Sequence, residues 1–433
     1  MTVIIFILFT IGFLMLTLKN IRWAIFAIAA LLPTYLIRFS VLGLPFTLLE
    51  VMLVIAIVVW GVKHHGFTTH NERISKWRLP LMLFLIAGLA SIIVAGSAHA
   101  ALGLFRAYIF EPILFFLMIV SVLHDERDVR RVFVALGFSA LAISIYAIFQ
   151  RITGFHIPAP WEAERRVTSF YPFPNAVGLF LAPLVPIFFT HTLTSTKNKP
   201  SNSVILNWPI GQFSITCFFT ITTILPLIAI VFAKTVGALV GLAVGFFFMG
   251  IAYKKTRLPT IGAAILLMLI ISLVPTIRTP LVQKLSLKTW SGHVRLTQWK
   301  ETLPMLRDHA LFGAGLSGYP TALKPYHKAT YIEIFQYPHN IVLNFWTELG
   351  LLGLFAFGWI IIRFFRLRCG QMSDVRCQMF SASLMAAMIT LLIHGLVDVP
   401  YFKNDLAIEF WIIVAAATIL KNSSSIIKSN YEK

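Results

Sequence analysis

His339 lies in "YPHN", at the mouth of an apolar run that continues "IVLNFWTELGLLG". Several other ionisable groups lie near the ends of apolar runs. Arg165 and Arg166 precede "TSFYPFPNAVG", Lys234 occupies a tight turn between two runs, and Arg295 begins an amphipathic stretch. His394 and Asp398 are spaced i, i+4 near the end of a later run. Fixed cations with an imidazole and few acids suit an anionic, phosphate-bearing substrate. Guanidinium grips phosphate bidentately and keeps its charge, and imidazole can take a proton near neutral pH. Each residue also has a structural role open to it. Arg165 and Arg166 could anchor the interface, Lys234 could snorkel, and Arg295 could pair with Glu301 or cap its helix. His394 and Asp398 could bond each other between spans, and Asn175 and Asn340 could cap helices. Glu348, nine residues past His339, is expected to be protonated or hydrogen-bonded, with no role assigned.

The elements that must position these groups follow from composition. Of 433 residues, 58% are hydrophobic and 12% charged, about half the charged share of a soluble domain. Apolar runs near 2–18, 23–39, 46–62, 79–95, 105–123, 132–150, 175–193, 213–233, 235–252, 258–277, 341–362, 378–397 and 404–420 predict an all-α polytopic membrane protein with 12–13 transmembrane helices. The formal charge of +19 does not point to nucleic acid, because the basic residues cluster in short segments between the runs. With residues 63–78 in the cytoplasm and strict alternation, 21 of the 36 Lys and Arg fall on the cytoplasmic side, as the positive-inside rule requires. Every candidate named above then lies on the outer side.

Two outer segments are long, 151–174 and 278–340, and long ordered loops are usually functional. In the second, Leu296, Trp299, Leu303 and Leu306 recur at helical spacing. They predict a surface helix lying on the membrane or over a cavity, followed by a break at Gly313, Gly315 and Gly318. The chain divides into N-terminal transmembrane helices, 1–150, and a core, 151–433, that includes the extracytoplasmic loop 278–340. Three cysteines give no disulfide framework. No metal-ligand spacing, phosphate loop or dinucleotide fingerprint is present, and His64 and His65 are adjacent on the cytoplasmic side.

"RLTQWKETLPMLRDHALFGAGLSGYP" followed by "YPHNIVLNFWTELGLLGLFAFGWI" resembles the core of the O-antigen ligase and O-antigen polymerase superfamily. "RRVTSFYPFPNAVGLFLAPLVP", "FAKTVGALVGLAVG" and "HGLVDVPYFKNDLAIEFW" are similar to flanking segments of that family, so the resemblance covers roughly 150–415. It implies a multi-span glycosyltransferase that moves a glycan from an undecaprenyl-pyrophosphate donor to an acceptor hydroxyl on the outer face of a bacterial inner membrane. The partners it implies are the lipid-linked glycan, a glycolipid or sugar acceptor such as lipid A-core, and membrane lipid; no cofactor is implied. By resemblance Arg295 binds the donor pyrophosphate and His339 acts on the acceptor or on phosphate. Lys234, Arg165, Arg166, Asn340, His394 and Asp398 are the further substrate-binding candidates. Lys234 stands where the family often has arginine, which puts bidentate binding there in doubt, and the chain has Phe-Pro-Asn where the family has Asn-Pro-Asn. Ligase and polymerase remain alternatives. Transport of a lipid-linked glycan is a third, though the polar candidates gather at one face beside a loop rather than at mid-membrane.

Overall fold

The computed structural model describes residues 2–41, 44–63, 72–195, 212–367 and 375–431. His64 and His65 lie outside them. Eighteen α-helices are described. The N-terminal part contains α1 (Thr2–Lys19), α2 (Ile21–Ala30), α3 (Leu48–Lys63), α4 (Glu72–Ser75), α5 (Arg78–Val94), α6 (Ala98–Phe105), α7 (Glu111–Val122) and α8 (Glu126–Thr153). A single π-helical stretch, Arg106–Phe110, joins α6 to α7 into one continuous rod. Then follow α9 (Pro174–Ser195), α10 (Gln212–Phe232), α11 (Val236–Ala252), α12 (Lys254–Leu273) and α13 (Pro275–Leu285). Next come α14 (Trp290–Asp308), α15 (Tyr319–Leu323), α16 (Ile341–Phe365), α17 (Val375–Gly395) and α18 (Asn404–Tyr431).

The protein is thus an all-α polytopic membrane protein, with one small exception. Seven of the described helices are long and apolar enough to cross a membrane, fewer than the 12–13 predicted. Four more apolar helices, Ile4–Lys19, Ile21–Ala30, Arg78–Val94 and Val236–Ala252, are shorter. The clearest departure is the run 23–39. There α2 stops after ten residues, about 15 Å of rise, half a hydrocarbon core. A 3-10 turn at Leu32–Leu36 with Pro33 at its start follows. The chain then enters an antiparallel hairpin of β1 (Arg38–Val41) and β2 (Leu44–Thr47), with Phe39 opposite Phe46. Alternating side chains there simulate the tail of an apolar span. Cys377 is disulfide-bonded, against the expectation of no disulfide framework, while Cys217 is free.

The helix that organises the core is α9, which packs against α8, α10, α11, α17 and α18. Beside it, α11 and α17 approach closely because α11 presents Gly237, Gly241 and Gly245 at intervals of four. A methyl group on Gly241 would sit 2.6 Å from the Thr390 carbonyl oxygen, and one on Gly245 2.9 Å from that of Ala386. Small residues at this spacing let helix backbones meet where lipid offers no hydrophobic drive. The Thr390 hydroxyl donates to the Gly241 carbonyl at 3.1 Å. This contact brings the turn at Lys234 against the end of α17.

The helix predicted in the outer loop is α14, but its buried face differs from the apolar one. Gln298, Glu301, Thr302, Met305 and Leu306 are buried, whereas Leu303 is 46% exposed. Two polar members of that face, Glu301 and Thr302, are satisfied by the loop itself, whereas Gln298 Nε2 and Oε1 are buried with no hydrogen-bond partner. Glu301 accepts from the backbone N–H groups of Lys328 and Ala329 at 2.8 and 2.9 Å and contacts His327 Nδ1 at 2.9 Å. Burial acts to raise the Glu301 carboxyl, but these bonds outweigh it and hold the group below its ordinary value. Thr302 bonds the Tyr319 hydroxyl at 2.8 Å.

Glu348 and the glycines on the two sides of one contact, between α16 and residues 311–317, explain one another. Inside α16, Gly350 has φ +66° and breaks the helix. Residues 311–317 enter this break. Leu351 N–H donates to Leu311 at 3.1 Å, Ala314 N–H to Thr347 at 2.7 Å, and the Trp346 indole to Ala310 at 2.8 Å. Gly313, with φ +66°, lies where a side chain would strike the Trp346 and Thr347 carbonyls. Glu348 is buried and accepts from the Ser317 N–H at 2.8 Å. Irregular backbone at this depth is tolerable only when protein satisfies it. Glu348→Ala should leave that N–H unpaired and weaken docking by about 1–3 kcal/mol. Limited proteolysis should then cut the loop near residues 311–317 faster than in the unmodified protein; an unchanged cleavage rate would contradict the docking role.

Candidate functional site

Residues 396–399, the turn between α17 and α18, form the hub of the site. Each of four consecutive residues is held by a group from elsewhere or by its own backbone. Asn340 Nδ2 donates to the Leu396 carbonyl at 2.9 Å. Arg295 Nε donates to the Val397 carbonyl at 2.7 Å. Asn175 Nδ2 donates to Asp398 Oδ2 at 2.8 Å, and Val399 N–H donates to Asp398 Oδ1 at 2.9 Å. His339 Nδ1 lies 3.6 Å from Asp398 Oδ1, an ion-pair distance just beyond a hydrogen bond. That nitrogen is buried and has no hydrogen-bond partner, so the carboxylate is the polar group it faces. Nε2 lies on the other side of the ring.

Local sequence explains why His339 is held this way. Asn340 caps α16, accepting from Val342 and Leu343 N–H at 3.0 Å each, a device that contributes about 1 kcal/mol. The Trp299 indole of α14 donates to the Pro338 carbonyl at 2.8 Å. Phe335 and Tyr337 meet the imidazole edge-on, with centroids 5.3 and 4.8 Å away. Burial pushes the Tyr337 phenol up, and Asp398 adds to the effect. The backbone at His339 is left-handed, φ +47°. Arg165 and Lys234 share this feature, at +48° and +53°. For a residue with a Cβ this costs about 1–2 kcal/mol, and such strain collects at functional sites.

Asp398 is 2% exposed. Burial alone would raise its carboxyl, but the adjacent His339 imidazole, with His394 and Arg295, outweighs burial and holds it well below the carboxylate range. It is therefore an anion at neutral pH. His394 is 2% exposed and packs under α11, where a methyl on Gly237 would meet its ring at 2.6 Å and Val397 at 2.9 Å. Neither His394 nor Asp398 reaches the surface, so both support the site from beneath. The expected i, i+4 pairing gives way to Asp398 with His339 and Asn175.

The cations form the other wall. Arg166 Nε donates to the Ala233 carbonyl at 3.2 Å, and its guanidinium stacks over Trp161 at 4.8 Å. Burial lowers its pKa, and proximity to Arg295 adds to this while Glu164 opposes it. Lys234, the next residue after Ala233, pairs with exposed Glu164 at 3.2 Å, and that lysine holds the Glu164 carboxyl below its ordinary value. Arg295 also donates twice to Ser291. With the bond to Val397 this engages three of its five N–H donors and leaves Nη2. It does not pair with Glu301. Arg165 is exposed on the rim, and its carbonyl accepts from Arg151 at 3.1 Å. The structure thus joins Arg295, His339, Asn340, His394 and Asp398 at one turn. Arg166 lies close enough to Arg295 to feel its charge, Lys234 follows the Ala233 carbonyl that Arg166 bonds, and Arg165 stands apart. Asn175, read from sequence as a cap, is the member that spacing missed; its partner lies 223 residues away.

Packed apolar helices, with an imidazole and a guanidinium held at the turn between α17 and α18, define a polytopic membrane protein with a candidate site at that turn. Residues 221–358, about a third of the chain, match the family described as O-antigen ligase, which supports the resemblance to the O-antigen ligase superfamily. The match takes in Lys234, Arg295, His339, Asn340 and Glu348; Asn175 and Asp398 lie outside it. No curated protein matches the chain.

Proposed function

We propose that this protein is an O-antigen ligase-like, inverting glycosyltransferase of surface polysaccharide, embedded in a bacterial inner membrane. It moves a glycan from an undecaprenyl-pyrophosphate donor to an acceptor hydroxyl on the extracytoplasmic face, with lipid A-core or a similar envelope glycolipid as acceptor. The observation that carries the proposal is the chain Asn175–Asp398–His339 beside Arg295 on one turn. His339 Nε2 takes the proton of the acceptor hydroxyl. The hydroxyl oxygen attacks the anomeric carbon opposite the phosphate, and the bond from that carbon to the phosphate oxygen breaks. The electron pair leaves with the pyrophosphate, whose growing charge is met by Arg295, Arg166 and Lys234. Asp398 stabilises the imidazolium that forms, as a buried carboxylate does for a catalytic histidine. These cations supply the charge stabilisation without a metal ion.

The test is transfer by purified protein in liposomes, with lipid-linked donor and acceptor on one side. A new glycosidic bond without translocation supports the proposal, and translocation without bond formation refutes it. Arg295→Lys keeps the charge but loses the fork, and should lower kcat/KM by about 10²-fold. Unchanged rate and donor affinity would mean that Arg295 serves only to tie α14 to Val397.

A further inference from the structure

A cavity of about 920 Å³ lies between α1, α2, α8 and α10, far from the His339 centre. Its position along α8 fixes the separation. Arg151, near the end of α8, bonds the carbonyl of Arg165, the residue before Arg166. Arg131 lines the cavity twenty residues earlier, about 30 Å along the helix, the depth of a hydrocarbon core. The walls are apolar, with Leu16, Phe26, Phe138 and Phe218 among them.

The mouth is different. Arg22 and Arg131 both line it, and both turn to the same carboxylate, Asp128 Oδ1, at 3.7 and 3.4 Å. Asp128 is buried, while the two arginine side chains are 45% and 37% exposed. The two guanidinium groups share this one carboxylate and stay partly exposed, so both can also meet an anion at the level where lipid headgroups sit. A furrow between spanning helices is filled by a hydrocarbon chain, and a basic mouth selects the headgroup attached to it. Neither arginine is used by the glycan-transfer site.

We propose that this furrow binds one anionic phospholipid, with its acyl chain between α2 and α10 and its phosphate on Arg22 and Arg131. The site is independent of the proposed transferase activity. Full-length protein in detergent, titrated with phosphatidylglycerol or phosphatidylcholine of identical chains and read by native mass spectrometry, provides the test. One phosphatidylglycerol should be retained, with a preference of about tenfold over phosphatidylcholine. Arg22→Gln should remove most of that preference. Ala27→Phe, which fills the furrow and leaves both arginines, should abolish retention of either lipid. Inorganic phosphate at the same concentration should not displace the lipid, because it lacks the chain. Equal retention of the two lipids, phosphatidylglycerol retention by both variants at the unmodified level, or displacement by inorganic phosphate would overturn the proposal. So would displacement by undecaprenyl phosphate at equal concentration, which would assign the furrow to the donor tail.

Discussion

His339→Ala should reduce glycan transfer by about 10²–10⁴-fold, the usual contribution of a positioned general base, while membrane insertion stays intact. The expectation rests on where the imidazole is held. Nδ1 faces Asp398 at 3.6 Å, the ring is flanked by Phe335 and Tyr337, and the residue's backbone is fixed in the left-handed region. Alanine tolerates that backbone no better than histidine, so His339→Asn is the better-matched variant. Asparagine enters the left-handed region more readily, yet it cannot accept a proton from a hydroxyl. Both variants should lose activity to the same degree. Their thermal unfolding should stay near that of the unmodified protein, because the cap at Asn340 is retained. Near-normal transfer by His339→Asn would remove His339 from the role of base and leave it as a residue that shapes the entry to α16.

Much of the fold was legible in the sequence because membrane helices announce themselves by apolar length alone. Arg295, His339 and Asn340 do meet at one turn. What spacing could not supply were contacts between residues far apart in the chain. Asp398 reads as a partner for His394 four residues earlier, yet its carboxylate is held by Asn175 and faces His339. The buried polar face of α14 was not legible for a related reason. Leu296, Trp299, Leu303 and Leu306 form the apolar stripe, but the loop that covers the helix offers backbone N–H groups, a histidine and a tyrosine hydroxyl. It therefore buries Glu301 and Thr302 beside Leu306. Glu348 needed the structure as well: only the break at Gly350 shows why a carboxylate seven residues inside a helix finds a loop N–H to accept from.

Asp398→Asn should lower kcat by about 10²–10⁴-fold with little change in KM for the donor, since the residue acts through His339 rather than on substrate. The substitution is nearly isosteric. The amide oxygen it introduces can still accept from Val399 N–H, and Asn175 can rotate its own amide to present oxygen to the introduced NH₂ group. The turn at 396–399 should therefore keep its shape. What disappears is the negative charge. In the native protein the Asp398 carboxyl is held well below its ordinary value, despite burial, by the His339 imidazole first and by His394 and Arg295 after it. A depressed carboxyl adds stability that is complete above the unfolded-state pKa and is lost as pH falls through the lower folded-state value. The stability difference between native and Asp398→Asn proteins should therefore be greatest near neutral pH and shrink in strong acid. A purely structural role would give that pattern too, so the deciding measurement is a double-mutant cycle. If Asp398 works only by orienting the imidazole and stabilising its protonated form, His339→Ala with Asp398→Asn should be no slower than His339→Ala alone. Multiplicative losses in the double variant would show that Asp398 serves the reaction by a route that does not pass through His339.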